Sequence, residues 1–195
     1  MAKSKNARSE KMKTPQFRVS FPHVFTPAKS IDGGKEKYSI VMLFDKKSDL
    51  KEMKKEVSAI IKEQWGEMPK NFQSPFKSGN EKYENNPELY APYKDHTVIT
   101  ASSMSQPGIV DRRRQAIIDP SEFYAGCYAH ATVNAFTWEY MGKKGVSFGL
   151  QNVQMLNDGE AFSGKAKAED DFDAIDDVED EEDTSSEVGA DDFDL

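Results

Sequence analysis

Cysteine occurs once in the 195 residues, at Cys127, and histidine three times, at His23, His96 and His130. A lone cysteine excludes an internal disulfide and fits a reducing compartment. These four scattered residues cannot be assembled into a zinc site at the usual ligand spacing, so neither a metal centre nor a cofactor is expected. No apolar run is long enough to span a bilayer, and the opening MAKSKNARSEKMK lacks the apolar stretch of a signal peptide. The chain is expected to be soluble and not secreted, with no membrane partner. Catalytic signatures are missing too: there is no G-x-S-x-G, no Walker-type loop and no His-rich metal motif. Cys127 and His130 stand an odd number of positions apart, which on a strand puts their side chains on opposite faces. The reading is of a protein that is not an enzyme.

The last absence is of positive charge at one end. Glu169 to Leu195 holds 15 of the 34 acidic residues and no Lys or Arg, so residues 1–168 carry 26 basic against 19 acidic side chains. The net charge of −8 therefore averages a body of +7 and a tail of −15. A basic body joined to a polyanion suggests a protein that binds a polyanion and carries its own competitor, although a tail of this kind can also be a plain solubiliser.

The body is large enough for one domain with a real core. Residues 1–14, with five lysines or arginines against Glu10 alone, read as a basic disordered arm ending at Pro15. Phe17, Val19 and Phe21 alternate with polar residues in a short strand closed by Pro22. After an Asp32–Gly34 turn, Tyr38–Phe44 is apolar on both faces and reads as a central strand. The clearest helix follows. Ser48 can cap it, Leu50, Met53, Val57, Ile60, Ile61 and Trp65 share a face, and Gly66 with Pro69 stops it. Residues 67–96 show no period. Beyond them lie a strand from Val98, a Pro107-Gly108 turn, extended structure from Arg114, a helical turn at Asp119–Glu122, the longest strand at Cys127–Tyr140, a Gly142–Gly145 turn and a final strand at Val146–Met155. The fold expected is mainly β: an OB-fold-like antiparallel barrel with one main helix over residues 15–164, then a linker and acidic disordered tail over 165–195.

The strand from Cys127 carries the candidate site. Its odd positions, Cys127, Ala129, Ala131, Val133 and Ala135, are small and suit a tight barrel interior. Its even positions, Tyr128, His130, Thr132, Asn134, Phe136, Trp138 and Tyr140, lie on the opposite face. Large rings mixed with hydrogen-bonding groups are what stacking of unpaired bases requires. The same face would also serve an oligomer interface. Arg112, Arg113 and Arg114, with Lys143 and Lys144 in the turn, offer charge for phosphates. If the arginine segment is extended, Arg112 and Arg114 point one way and Arg113 the other. Lys70, Phe72, Lys77 and Tyr93 belong to a loop whose composition fits closure over a bound strand as well as packing on its own core.

The run YAGCYAHATVNAFTWEYMGKKGVSFGLQNVQMLNDGEAFSG, preceded by RVSFPHVFTPA and KYSIVMLFDK, resembles phage-encoded single-stranded DNA-binding proteins. The resemblance spans about Pro15 to Gly164, with a tail that matches in character. It implies an OB barrel that binds single-stranded DNA without strong sequence preference during phage replication, recombination or repair, in the host bacterial cytoplasm. On this reading the tail competes with DNA and then recruits phage or host replication proteins, with Phe193 and Leu195 as its apolar anchors. A homo-oligomer is compatible with it. The rival reading is a protein–protein adaptor or assembly factor that uses the aromatic face as an oligomer interface.

Overall fold

The computed structural model describes residues 6–29 and 34–162. The tail, with Phe193 and Leu195, lies outside the described residues, as does most of the expected Asp32–Gly34 turn. Five strands close a barrel: β2 (Phe17–Ala28), β3 (Lys37–Phe44), β6 (Thr97–Ser103), β9 (Lys143–Asn157) and β8 (Tyr128–Tyr140). β2 pairs with β3, β3 with β6, β6 with β9, β9 with β8 and β8 back with β2. All of these pairs are antiparallel except β6–β9. This is the OB-like, mainly β architecture expected from the strand spacing.

The interior fills with alternate residues, as a pleated strand demands. Val19, Ile40, Met42, Phe44, Ile99, Ala101, Ala129, Val133, Ala135, Phe148 and Leu150 are buried in one cluster. The small residues of β8 leave room for Phe148, against which Phe76 stands edge-on at 6.0 Å. Burial raises the Cys127 thiol to about 11, so at neutral pH it is an inert core residue. The helix α1 (Lys51–Trp65) buries Met53, Val57, Ile60 and Ile61 in the same cluster. Its Gly66 cap takes the left-handed conformation, φ 78°, and returns its N–H to the Lys62 carbonyl. Ser48 does not cap it: Leu50 holds the N-cap position, and the Ser48 hydroxyl donates to Asp45.

Other expectations need correction. Pro22 does not end β2; the strand continues to Ala28 through two register shifts, with Phe21 at φ 42°. A proline fits there because a bulge needs no ladder N–H. The aperiodic 67–96 stretch contains short strands β4 (Phe72–Gln73) and β5 (Lys77–Ser78) and a helix α2 (Gly79–Asn85). The hairpin turn is Met141-Gly142, both at positive φ, the geometry that matches strand twist. Asp119 does start a helical turn, accepting from the Ser121 N–H.

The largest correction is at the N-terminus. Residues 6–14 are not a disordered arm. β1 (Met12–Lys13) pairs antiparallel with β8, Met12 opposite Val133 and Lys13 opposite Thr132, and Arg8 bridges to Phe136. Ala7, Met12 and Thr14 are buried, while Arg8 and Lys13 are exposed. Thr14 closes the docking twice: its N–H donates to the Ala131 carbonyl, and its hydroxyl oxygen accepts from the Ala131 N–H.

Candidate nucleic-acid interface

The even positions of β8 line the outer wall of the barrel, as alternation requires. Tyr128, His130, Thr132, Asn134, Phe136 and Trp138 are all half-buried, and every odd position from Ala129 to Thr137 is buried. Ten residues separate Tyr128 from Trp138, so the row runs roughly 33 Å at 3.3 Å per residue. It carries no carboxylate, since Glu139 sits at an odd position.

Across the hairpin, β9 sets small residues opposite the half of the row nearest the turn: Gly149 faces Asn134, Ser147 faces Phe136 and Gly145 faces Trp138. A Cβ on Gly145 would lie 2.5 Å from the indole, so the ring takes the space that a side chain there would fill. The Trp138 indole N–H is buried and has no hydrogen-bond partner among the described residues. Asn134 accepts from the Gln151 amide at 2.9 Å, and His130 Nδ1 donates to the Thr14 carbonyl at 3.1 Å. These bonds fix the polar members of the row in place.

Cations stand at both ends. At the hairpin end, Trp138, Thr100, Ser147, Gln73, Lys77 and Lys143 line a hollow of about 330 Å³. Lys70 and Phe72 border a second hollow beside Lys143 and Met141, although Phe72 also packs on the core. At the far end Arg112 donates weakly to Asn157, the residue paired with Tyr128.

Four expected site residues, Lys144, Tyr93, Arg113 and Arg114, are not in the row. Lys144 lies on the other face, 3.7 Å from Glu139 and 5.6 Å from the centre of the Trp65 ring. That separation follows from alternation, since neighbouring lysines on a strand cannot share a face. Tyr93 is 2% exposed and shares a 2.9 Å hydrogen bond with the Ser20 hydroxyl. Burial pushes its hydroxyl above the usual tyrosine range. It is a core residue, not a loop contact. Nor is the arginine triplet extended. β7 (Gly108–Val110) ends in a tight turn in which the Asp111 carboxylate accepts from the N–H groups of Arg113 and Gln115. Arg114 sits there at φ 67°. The expected split into two faces therefore does not arise, and only Arg112 reaches the end of the row.

Sequence reasoning missed three cations beside the row. Arg8 stands 5.3 Å over the Phe136 ring, Lys13 is paired with Thr132, and Arg18 lies 5.7 Å from the Tyr128 ring. The KMKT stretch did hold a clue. Polar Lys11 and Lys13 flank apolar Met12, a half-buried strand in miniature.

Comparison with known proteins places the chain in a family. The sequence profile of the family described as "Enterobacter phage Enc34, ssDNA-binding protein" matches residues 10–184. Protein p50 of Acyrthosiphon pisum secondary endosymbiont phage 1 is 32% identical over 180 residues, covering 88% of this chain and 97% of that protein. Among solved structures, the single-stranded DNA-binding protein of bacteriophage Enc34, in complex with ssDNA, superposes with a TM-score of 0.62. It is 24% identical, with 78% of this chain and 89% of that chain covered. Bacteriophage T7 gp2.5, a single-stranded DNA-binding protein, gives a TM-score of 0.54 at 12% identity over 82% of this chain and 98% of its own. Identities this low speak for a shared fold.

Proposed function

The chain belongs to the family of the Enterobacter phage Enc34 ssDNA-binding protein, and from that premise we propose that it coats single-stranded DNA without sequence preference, using the outer face of β8. The observation that carries the reading is the carboxylate-free row Tyr128–Trp138, presented on a closed barrel with cations at each end. Tyr128, Phe136 and Trp138 stack bases, which any base permits because each has a π-face. His130 and Asn134 add polar contacts. Lys77, Lys143 and Lys70 at one end and Arg112 at the other meet phosphates. No step of this activity breaks a covalent bond.

The family and the charge pattern support as its setting phage DNA replication, recombination or repair in the host bacterial cytoplasm. Residues 165–195 act as linker and acidic tail, competing with DNA for the basic body. Once displaced, the tail recruits phage or host replication proteins through Phe193 and Leu195. The test is a titration with oligo(dT) at two salt concentrations, on the full chain and on a variant lacking residues 169–195. The full chain binds, and the shortened one binds more tightly, most at low salt where charges are least screened. Equal affinity of the two would remove the competitor role, and no binding by either would remove the proposed function.

A further inference from the structure

The three cations beside the row form a series. Arg8, Lys13 and Arg18 stand next to Phe136, Thr132 and Tyr128, four residues apart along β8, or roughly 13 Å per interval. Directly paired residues of an antiparallel ladder project to the same face, so all three share the outward face of the rings. None of them takes part in an ion pair among the described residues. Arg8 is instead held against a ring, and Arg18 donates to the carbonyls of Gly126 and Glu160. Buried Ala7, Met12 and Thr14 alternate with them and lock the strand in place.

A rigid line of unneutralised cations on one flank of a stacking surface has an evident counterpart in a regularly spaced polyanion. From this we infer that the sugar-phosphate backbone of the bound strand runs along the N-terminal edge of β8, over Arg8, Lys13 and Arg18, while its bases turn inward onto the rings. The inference rests on the proposed single-stranded DNA binding and adds to it a side for the backbone, set by a segment whose composition alone reads as a loose arm. Ordering by pairing also means that the backbone carrying these cations needs no immobilisation on binding.

The experiment measures oligo(dT) affinity across a salt series for the full chain and for Arg8→Ala, Lys13→Ala and their double variant, with melting curves for each. A phosphate contact on a single strand contributes about 0.7 to the slope of log K against log salt, so each single variant flattens the slope by that amount and the double by about 1.4. The charge-retaining pair Arg8→Lys and Lys13→Arg keeps the wild-type slope. Should the alanine variants melt lower, the charge-retaining pair decides. A slope equal to that of the alanine pair overturns the inference, and a wild-type slope supports it. Wild-type slopes in the alanine variants would also overturn it; if Trp138→Ala still weakened binding, the proposed function would stand. Absence of binding by the unaltered chain would sink both.

Discussion

Two basic stretches of this chain exchange roles between sequence and structure. Arg112-Arg113-Arg114 is the densest positive cluster, yet it occupies a turn organised by Asp111, and of its three guanidinium groups the one bonded beside the row is that of Arg112, to Asn157. The N-terminal segment has its cations dispersed, yet pairing with β8 sets Arg8 beside Phe136 and Lys13 beside Thr132. Charge density along a chain measures how many cations a segment has. Backbone pairing determines where they stand and how fixed they are, and binding energy depends on both.

The largest effect that could break this comparison is on stability. Met12 is 6% exposed and packs in the main core, so Met12→Ala is expected to cost about 2–3 kcal/mol in urea unfolding. Lys13→Ala, one position on and exposed, should cost almost nothing. Equal and negligible losses would return the segment to a loose arm. Next comes the surface that both stretches flank. Trp138→Ala should weaken oligo(dT) binding by about 1–3 kcal/mol with little change in salt slope, and should abolish most DNA-induced fluorescence quenching, leaving Trp65. A folded variant with wild-type affinity would assign the rings to a protein interface. Smallest is the contrast within the triplet. Arg112→Ala should flatten the salt slope by about 0.7, whereas Arg113→Ala and Arg114→Ala leave it nearly unchanged. Three equal small changes would show a diffuse field from the whole turn.

The alternation on β8 was legible because a strand's period is short and the residues from Tyr128 to Trp138 obey it without a break. So were the buried face of α1 and its glycine stop, both of which are local. What stayed hidden depended on partners far away in the chain. Met12 meets Val133 across 121 positions, and nothing in either segment names the other. Pro22 read as a strand end because its lost N–H is local, while the bulge that tolerates it arises from pairing with β3. Tyr93 read as a loop ring because its neighbours are polar and irregular; the Ser20 hydroxyl that bonds to it comes from distant β2. Lys144 is different. Alternation from Trp138 through the two-residue turn places it on the far face, so the doublet Lys143-Lys144 could have been divided from sequence once the turn was placed at Met141-Gly142.

The long separation of β1 from β8 also bears on the order in which the molecule is made. Ala7 to Thr14 take their backbone partners from residues 131–137, the second-to-last strand of the barrel. At 5–20 residues per second, synthesis of the intervening stretch lasts roughly 6–25 s. Throughout that interval β1 has no edge to join, because the strand it pairs with has not been made. The flank of the row of rings is thus complete only when residues 7–14 are gathered in beside residues 131–137.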